Sequence, residues 1–154
     1  MSKPSFVYVI YIRATAEKVW DGITDPAMAA QYWGCHRNVS DWKVGSKWEH
    51  ERTDQPGVVD IVGKVIESDR PRRLVMTWAN PANAADPEKV SRVTIDVDPH
   101  KDDSVKLTVT HSELEPNSDM LRGISKGWPV VLSALKSFLE TGKGTPVKPA
   151  RVCR

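Results

Sequence analysis

Two histidines, His50 in KWEHER and His111 in THSEL, are the side chains of this 154-residue chain best suited to proton transfer. An imidazole titrates near neutral pH, so either could act as general base or acid if it lined a cavity. For both, the competing reading is a buried histidine held by hydrogen bonds for structural reasons. Cys35 and His36 are adjacent and of metal-ligating type, but no second pair stands at ligand spacing, so no metal site is expected. There is no Ser–His–Asp signature, no glycine-rich phosphate loop and no dinucleotide fingerprint, and no cofactor is expected. Asp41, Arg52 and Glu113 could orient a polar head group at a cavity rim or serve as surface charges. Arg70, Arg72 and Arg73 form a basic turn of the ordinarily solvated kind.

The elements that must carry these residues follow from periodicity. Alternation places Trp48, His50 and Arg52 on one face of a strand at 47–53. It places Val105, Leu107, Val109 and His111 on one face of a strand at 104–112. Further strands are predicted at 58–68 (Val59, Ile61, Val65 inward), 73–78 (Leu74, Met76, Trp78) and 90–98 (Val93, Ile95, Val97). A strand at 6–12 is apolar on both faces and is expected to be covered on both sides or to pair centrally. Gly63 in mid-strand marks a bulge or a close backbone approach. Segments 35–41 and 79–89 read as loops. Two short helices follow the first strand: 16–24, capped by Thr15, and 27–33, with Asp25 as N-cap and Pro26 in the first turn.

The last element is a helix over 119–140. Leu121, Ile124, Trp128, Val131, Leu132, Leu135, Phe138 and Leu139 recur at steps of three and four, which stacks them on one face. Gly127 and Pro129 predict a kink within it; the competing reading starts a shorter helix at Pro129. Gly142 supplies the stop. Strands that alternate cleanly have one wet face, and the one long amphipathic helix must cover the dry one. The expected fold class is therefore α+β: a curved antiparallel sheet wrapped around a long C-terminal helix, with two short helices after the first strand.

Length favours one domain, placed at 1–142, followed by a flexible basic tail at 143–154. That tail holds Lys143, Lys148, Arg151 and Arg154 and no acid, so the rest of the chain is slightly acidic, which argues against a nucleic-acid partner. Two cysteines imply no disulfide framework and suit a reducing, cytoplasmic location. The longest N-terminal apolar run, 6–12, is too short to insert into a membrane. Six tryptophans are many for this length, and some are expected to line a cavity, since indole offers apolar area and one donor.

The segments IRATAEKVWDGITDP (12–26), DWKVGSKW (41–48), VGKVIESDRPRRLVMTW (62–78), LTVTHSEL (107–114) and GWPVVLSALKSFLETG (127–142) carry a resemblance. In this order they resemble the activator-of-Hsp90-ATPase C-terminal-like (AHSA1-like) family of the START/Bet v 1 helix-grip superfamily, also called SRPBCC. A departure is QYWGCH at 31–36, where relatives often carry paired tryptophans. The resemblance implies a helix-grip fold with a cavity between sheet and helix. In the wider superfamily some members bind lipids, sterols or other apolar molecules, and others act as polyketide cyclases or hydratases. The co-chaperone role belongs to eukaryotic members with an additional N-terminal domain.

Three functions follow as expectations. The first is binding of a hydrophobic or amphipathic small molecule between sheet and C-terminal helix. Its candidate ligand-binding residues are Trp33, Trp48, His50, Ile61, Met76, Trp78, Ile95, Leu107, Val109 and His111, answered from the helix by Trp128, Val131, Leu132 and Leu135. A filled core made of the same residues is the competing reading. The second is a cyclase- or hydratase-like enzyme using His50 or His111 as base, which requires one imidazole to line a solvent-reachable cavity. The third is a co-chaperone-like interaction module. It requires an exposed apolar patch on the outer sheet face, where the sequence reads Lys47, Glu49, Glu51, Lys106 and Thr108. The lack of a catalytic signature favours binding over catalysis, and both monomer and homodimer fit.

Overall fold

The computed structural model describes residues 3–147. The chain runs β1 (Phe6–Ile12), α1 (Ala16–Thr24), α2 (Pro26–Tyr32), β2 (His36–Val39), β3 (Lys47–Arg52), β4 (Val59–Asp69), β5 (Arg73–Trp78), β6 (Ser91–Pro99), β7 (Val105–Ser112) and α3 (Asp119–Thr141). The seven strands form one antiparallel sheet in the order β1-β7-β6-β5-β4-β3-β2. Its dry face curls around α3, the α+β helix-grip arrangement that strand alternation and the long apolar stripe require. No helix among the described residues is long and apolar enough to cross a membrane.

Local chemistry sets the helix ends. The Lys18 N–H donates to Thr15 Oγ1 at 3.1 Å, and the N–H groups of Ala27 and Met28 both donate to Asp25 Oδ1. The Leu121 N–H donates to Ser118 Oγ, and Gly142, at φ 87°, closes α3 with an N–H bond to Phe138 O. Helix α3 runs unbroken through Pro129, which replaces the shorter-helix reading. An interior proline costs about 3 kcal/mol. Ile124, Trp128, Val131, Leu132 and Leu135 are all buried on the same helix, each stabilising it by roughly 1.5–3 kcal/mol, so packing outweighs that cost.

Two sequence expectations are corrected. Strand β1 is an edge strand, not a central one: only its even-numbered side faces inward, while Val7, Val9 and Tyr11 are exposed. Helix α3 guards part of that edge: Lys136 Nζ donates to Tyr11 O, and the Arg13 N–H donates to Glu140 Oε2. Segment 36–39 is a strand rather than loop, pairing His36 with Arg52 and Asn38 with His50. Its inward residues are His36 and Asn38, so no apolar alternation announced it. The inward phase of β4 passes unchanged through Gly63; its pairing is irregular against β3 between Ile61 and Val59 and against β5 between Val65 and Glu67, where Ile66 is left exposed. Of the two readings of Gly63, the close backbone approach holds: a Cβ there would lie 1.9 Å from Thr77 O and 2.4 Å from Trp48 Nε1.

Of the expected tail, Val147 packs against the core, Gly144 lies against Tyr32, and Ser137 Oγ donates to Lys143 O. Residues 148–154, with Lys148, Arg151, Cys153 and Arg154, lie outside the described residues.

Candidate functional site

Four aromatic rings gather where α2 ends, β5 ends and α3 crosses the sheet. Trp33, the C-cap of α2, meets Trp128 at a centroid distance of 5.6 Å and an interplanar angle of 63°. Trp128 meets Trp78 at 5.5 Å, and Trp78 meets Trp48 at 5.3 Å. Tilted and edge-to-face contacts of this kind are favoured by the ring quadrupoles. Beside them lies a cavity of about 150 Å³, lined by Trp33, Trp78, Gly123, Ile124, Gly127, Trp128 and Val131. It reaches the surface past α3, where Gly123 is exposed and Gly127 half-buried. A Cβ at either glycine would meet no atom within 4 Å, so the two glycines, one turn apart, leave open space above the rings.

The tryptophan N–H groups are disposed unequally. Trp42 Nε1 donates to Thr24 O, Trp48 Nε1 to Thr77 O and Trp128 Nε1 to His111 Nδ1 at 3.0 Å. Trp78 Nε1 is buried with no acceptor, one of two such side-chain atoms among the described residues; the other is Arg37 Nε.

His111 is wholly enclosed between β7 and α3. An indole nitrogen can only donate, so His111 Nδ1 must accept and the ring proton sits on Nε2. That Nε2–H faces Ser91 Oγ at 2.7 Å, and the Ser91 hydroxyl donates to Trp78 O at 3.0 Å. The relay Trp128 to His111 to Ser91 to the β5 backbone satisfies both ring nitrogens of a neutral imidazole. Burial pushes the His111 pKa down from 6.5 to about 3, so the ring stays neutral at physiological pH.

His50 belongs to a second polar cluster on β2 and β3. Asn38 Nδ2 donates to Ile23 O, which fixes the amide so that Asn38 Oδ1 accepts from His50 Nδ1 at 2.7 Å. The His50 ring stacks on His36 at 4.3 Å with planes 2° apart and meets Trp33 edge-on at 5.0 Å. His36 places Nε2 2.7 Å from Asp60 Oδ2 and Nδ1 3.0 Å from Gly34 O.

Of the residues singled out from sequence, Trp33, Trp78, Trp128 and Val131 meet on the cavity wall. His111 stands behind two of those rings, 5.4 Å from Trp78 and 6.2 Å from Trp128. Trp48, His50, Met76, Ile95, Leu107, Val109, Leu132 and Leu135 are buried in the core away from the cavity, and Ile61 is half-buried against it. The rim charges lie elsewhere: Asp41 accepts from the Lys43 N–H, Arg52 pairs with Asp54, and Glu113 lines an outer cleft with Lys3 and Arg92. Sequence reasoning did not pick out Gly123 and Gly127 as wall residues, nor Asn38 and Asp60 as partners of the histidines. The i, i+4 glycine pair inside an otherwise strong helix was the available signal for the first two.

Residues 13–140 match the model of one family, described as activator of Hsp90 ATPase homolog 1-like protein. No curated protein matches the sequence. Among solved structures, an HSP90 activator from Plasmodium falciparum superposes with a TM-score of 0.73 at 20% identity, covering 88% of this chain and 96% of that one. The Aha1 dimer from Colwellia psychrerythraea gives 0.71 at 22% identity, over 92% and 99%. CalU16 from Micromonospora echinospora gives 0.68 at 19% identity, over 91% and 78%. At these identities the likeness is one of fold.

Proposed function

The chain belongs to the activator of Hsp90 ATPase homolog 1-like family, and on that premise we propose that it binds a compact hydrophobic small molecule between the sheet and α3. The observation that carries this reading is the apolar cavity at Trp33, Trp78 and Trp128, open to solvent past two glycines. Its volume of about 150 Å³ has room for one benzene-sized ring. Burying roughly 150 Å² of ring surface at about 25 cal/mol per Å² yields about 4 kcal/mol, a Kd on the order of 1 mM for a bare ring. The enclosure of His111, with Nδ1 already accepting from Trp128, supports binding rather than catalysis by that imidazole.

The test is a titration with toluene, followed by the indole signals in proton–nitrogen correlation spectra. Saturable shifts at Trp33, Trp78 and Trp128, abolished in Gly127→Leu, are expected. Leucine there fills open space and raises helix propensity by about 1 kcal/mol, so loss of fold does not confound the result. Absence of saturable shifts at these indoles in the wild type would refute the reading.

A second reading, homodimerisation through β1, is favoured by one observation: Val7, Val9 and Tyr11, 57%, 43% and 45% exposed, form an apolar strip on an edge strand. The solved Aha1 dimer from Colwellia psychrerythraea is a fold-level parallel. Sedimentation velocity of the wild type and Val9→Lys tests it: a dimer that the lysine converts to monomer supports this surface, and a wild-type monomer at high micromolar concentration refutes it.

A further inference from the structure

On the outer face of the sheet, across from the tryptophan cavity, we infer that a row of basic side chains binds a small phosphomonoester with an apolar ester group. Lys47 and Lys64 are direct partners across β3 and β4, and Thr77 and Arg92 are direct partners across β5 and β6. The Lys64 backbone N–H donates to Thr77 Oγ1 at 2.8 Å, which joins the two pairs into one line of three cations and a hydroxyl. Like charges facing each other on neighbouring strands repel, and only part of this charge is answered. Lys47 Nζ lies 3.3 Å from a Glu49 carboxylate oxygen, whereas Lys64 and Arg92, both exposed, have no ion-pair partner among the described residues. Two clefts, of about 540 and 330 Å³, meet at Thr77, Ala84 and Val90; the larger holds Lys47 and Lys64, the smaller Arg92. Val62, Ala79 and Pro81 complete an apolar lining for the larger cleft, and this is where the ester group lies. The backbones of Lys64 and Arg92 stand two strand spacings apart, about 10 Å, so their long side chains can converge over Thr77. A phosphomonoester carries nearly two negative charges and three acceptor oxygens, which matches a guanidinium fork, an ammonium and the Thr77 hydroxyl. A carboxylate has only two oxygens for those three donors. Glu49 and Glu113 border the row and disfavour an extended polyanion such as a nucleic acid.

The experiment titrates phenyl phosphate, at about pH 7.5 where it is a dianion, into nitrogen-15-labelled protein and follows the backbone signals. Saturable shifts at Lys64, Thr77, Ala84 and Val90 are expected. Lys64→Gln and Arg92→Gln should each weaken binding at least about 5-fold, since each removes a charge-assisted hydrogen bond. Lys101→Gln, in the hairpin between β6 and β7 at the other end of the sheet, removes the same charge and should change affinity less than about 2-fold. Inorganic phosphate should bind at the same residues at least about 5-fold more weakly, because it leaves the apolar lining uncovered. All three substituted side chains are exposed, so the fold is kept. No saturable shift at those four residues would overturn the inference. Equal losses in Lys64→Gln and Lys101→Gln would also overturn it, since they mark diffuse attraction to a basic surface. Equal affinity for inorganic phosphate would remove the apolar contact, and shifts confined to the indoles of Trp33, Trp78 and Trp128 would put the ring in the inner cavity; either result overturns the inference. The inner-cavity reading stands or falls separately, by its toluene titration.

Discussion

Replacing His111 by glutamine should flatten the acid limb of the protein's stability. In the folded state His111 protonates near pH 3, whereas in the unfolded chain it protonates near 6.5. Between those values the unfolded state binds one more proton, so stability falls as pH falls, by up to about 1.4 kcal/mol per pH unit from this residue. From pH 6.5 to 4.5 the loss is about 2 kcal/mol, a large fraction of the roughly 5–15 kcal/mol total of an ordinary domain. A glutamine amide can accept from Trp128 and donate to Ser91 but does not titrate, so it keeps both bonds in poorer geometry. At pH 7.5 the variant should be less stable by about 1–2 kcal/mol. By pH 4.5 that order should reverse. Urea unfolding monitored by far-UV circular dichroism between pH 7.5 and 4.5 reads both quantities. Position 111 is the one place where the two proteins differ, so the difference between their stability curves reports on it alone. Parallel loss of stability in wild type and variant would refute the neutral, sealed imidazole.

Other expectations rest on single contacts. Gly63→Ala should destabilise by about 3 kcal/mol or more, because its Cβ would collide with the Thr77 carbonyl and the Trp48 indole; the denaturant midpoint reads this. Asn38→Ala should cost roughly 2 kcal/mol in the same assay, since it strips partners from the His50 Nδ1–H and the Ile23 carbonyl. Glu140→Gln should cost about 1 kcal/mol at pH 7. The Arg13 backbone N–H, then the Lys136 ammonium, hold the Glu140 pKa below the ordinary carboxylate value. The stability this carboxylate adds is thus present above its unfolded pKa and fades as pH falls through its folded one. The gap between Glu140→Gln and wild type should accordingly narrow under acid conditions.

Helix α3 was legible because its buried residues are apolar and keep helical phase across Pro129. Strands β6 and β7 were legible because their inward residues alternate cleanly, and β5 because Leu74, Met76 and Trp78 share a face, although Val75 between them is buried as well. Strand β2 was not, because what it buries is His36 and Asn38, whose burial is made tolerable by Asp60, Gly34, Ile23 and His50 rather than by apolarity. Strand β1 misled in the opposite direction: Val7, Val9 and Tyr11 are apolar yet exposed, so composition implied a central position that pairing does not give it. For the candidate site, the tryptophans were visible as residue types. Which of them border space and which fill it depends on Gly123 and Gly127, whose missing side chains leave the opening and add nothing to the apolar stripe. The difference between Trp78 and Trp128 lies in where two N–H bonds point, and alternation cannot reveal it.

The central claim is that the helix–sheet gap keeps an apolar, ligand-sized space beside Trp33, Trp78 and Trp128. Diffraction from crystals pressurised with xenon tests it most directly, since xenon enters dry apolar cavities of this size. Xenon density bounded by those three rings in the wild type, and missing in Gly127→Leu, is the expected result. A wild-type crystal with no xenon at those rings would contradict the account and leave a filled core in place of a binding site.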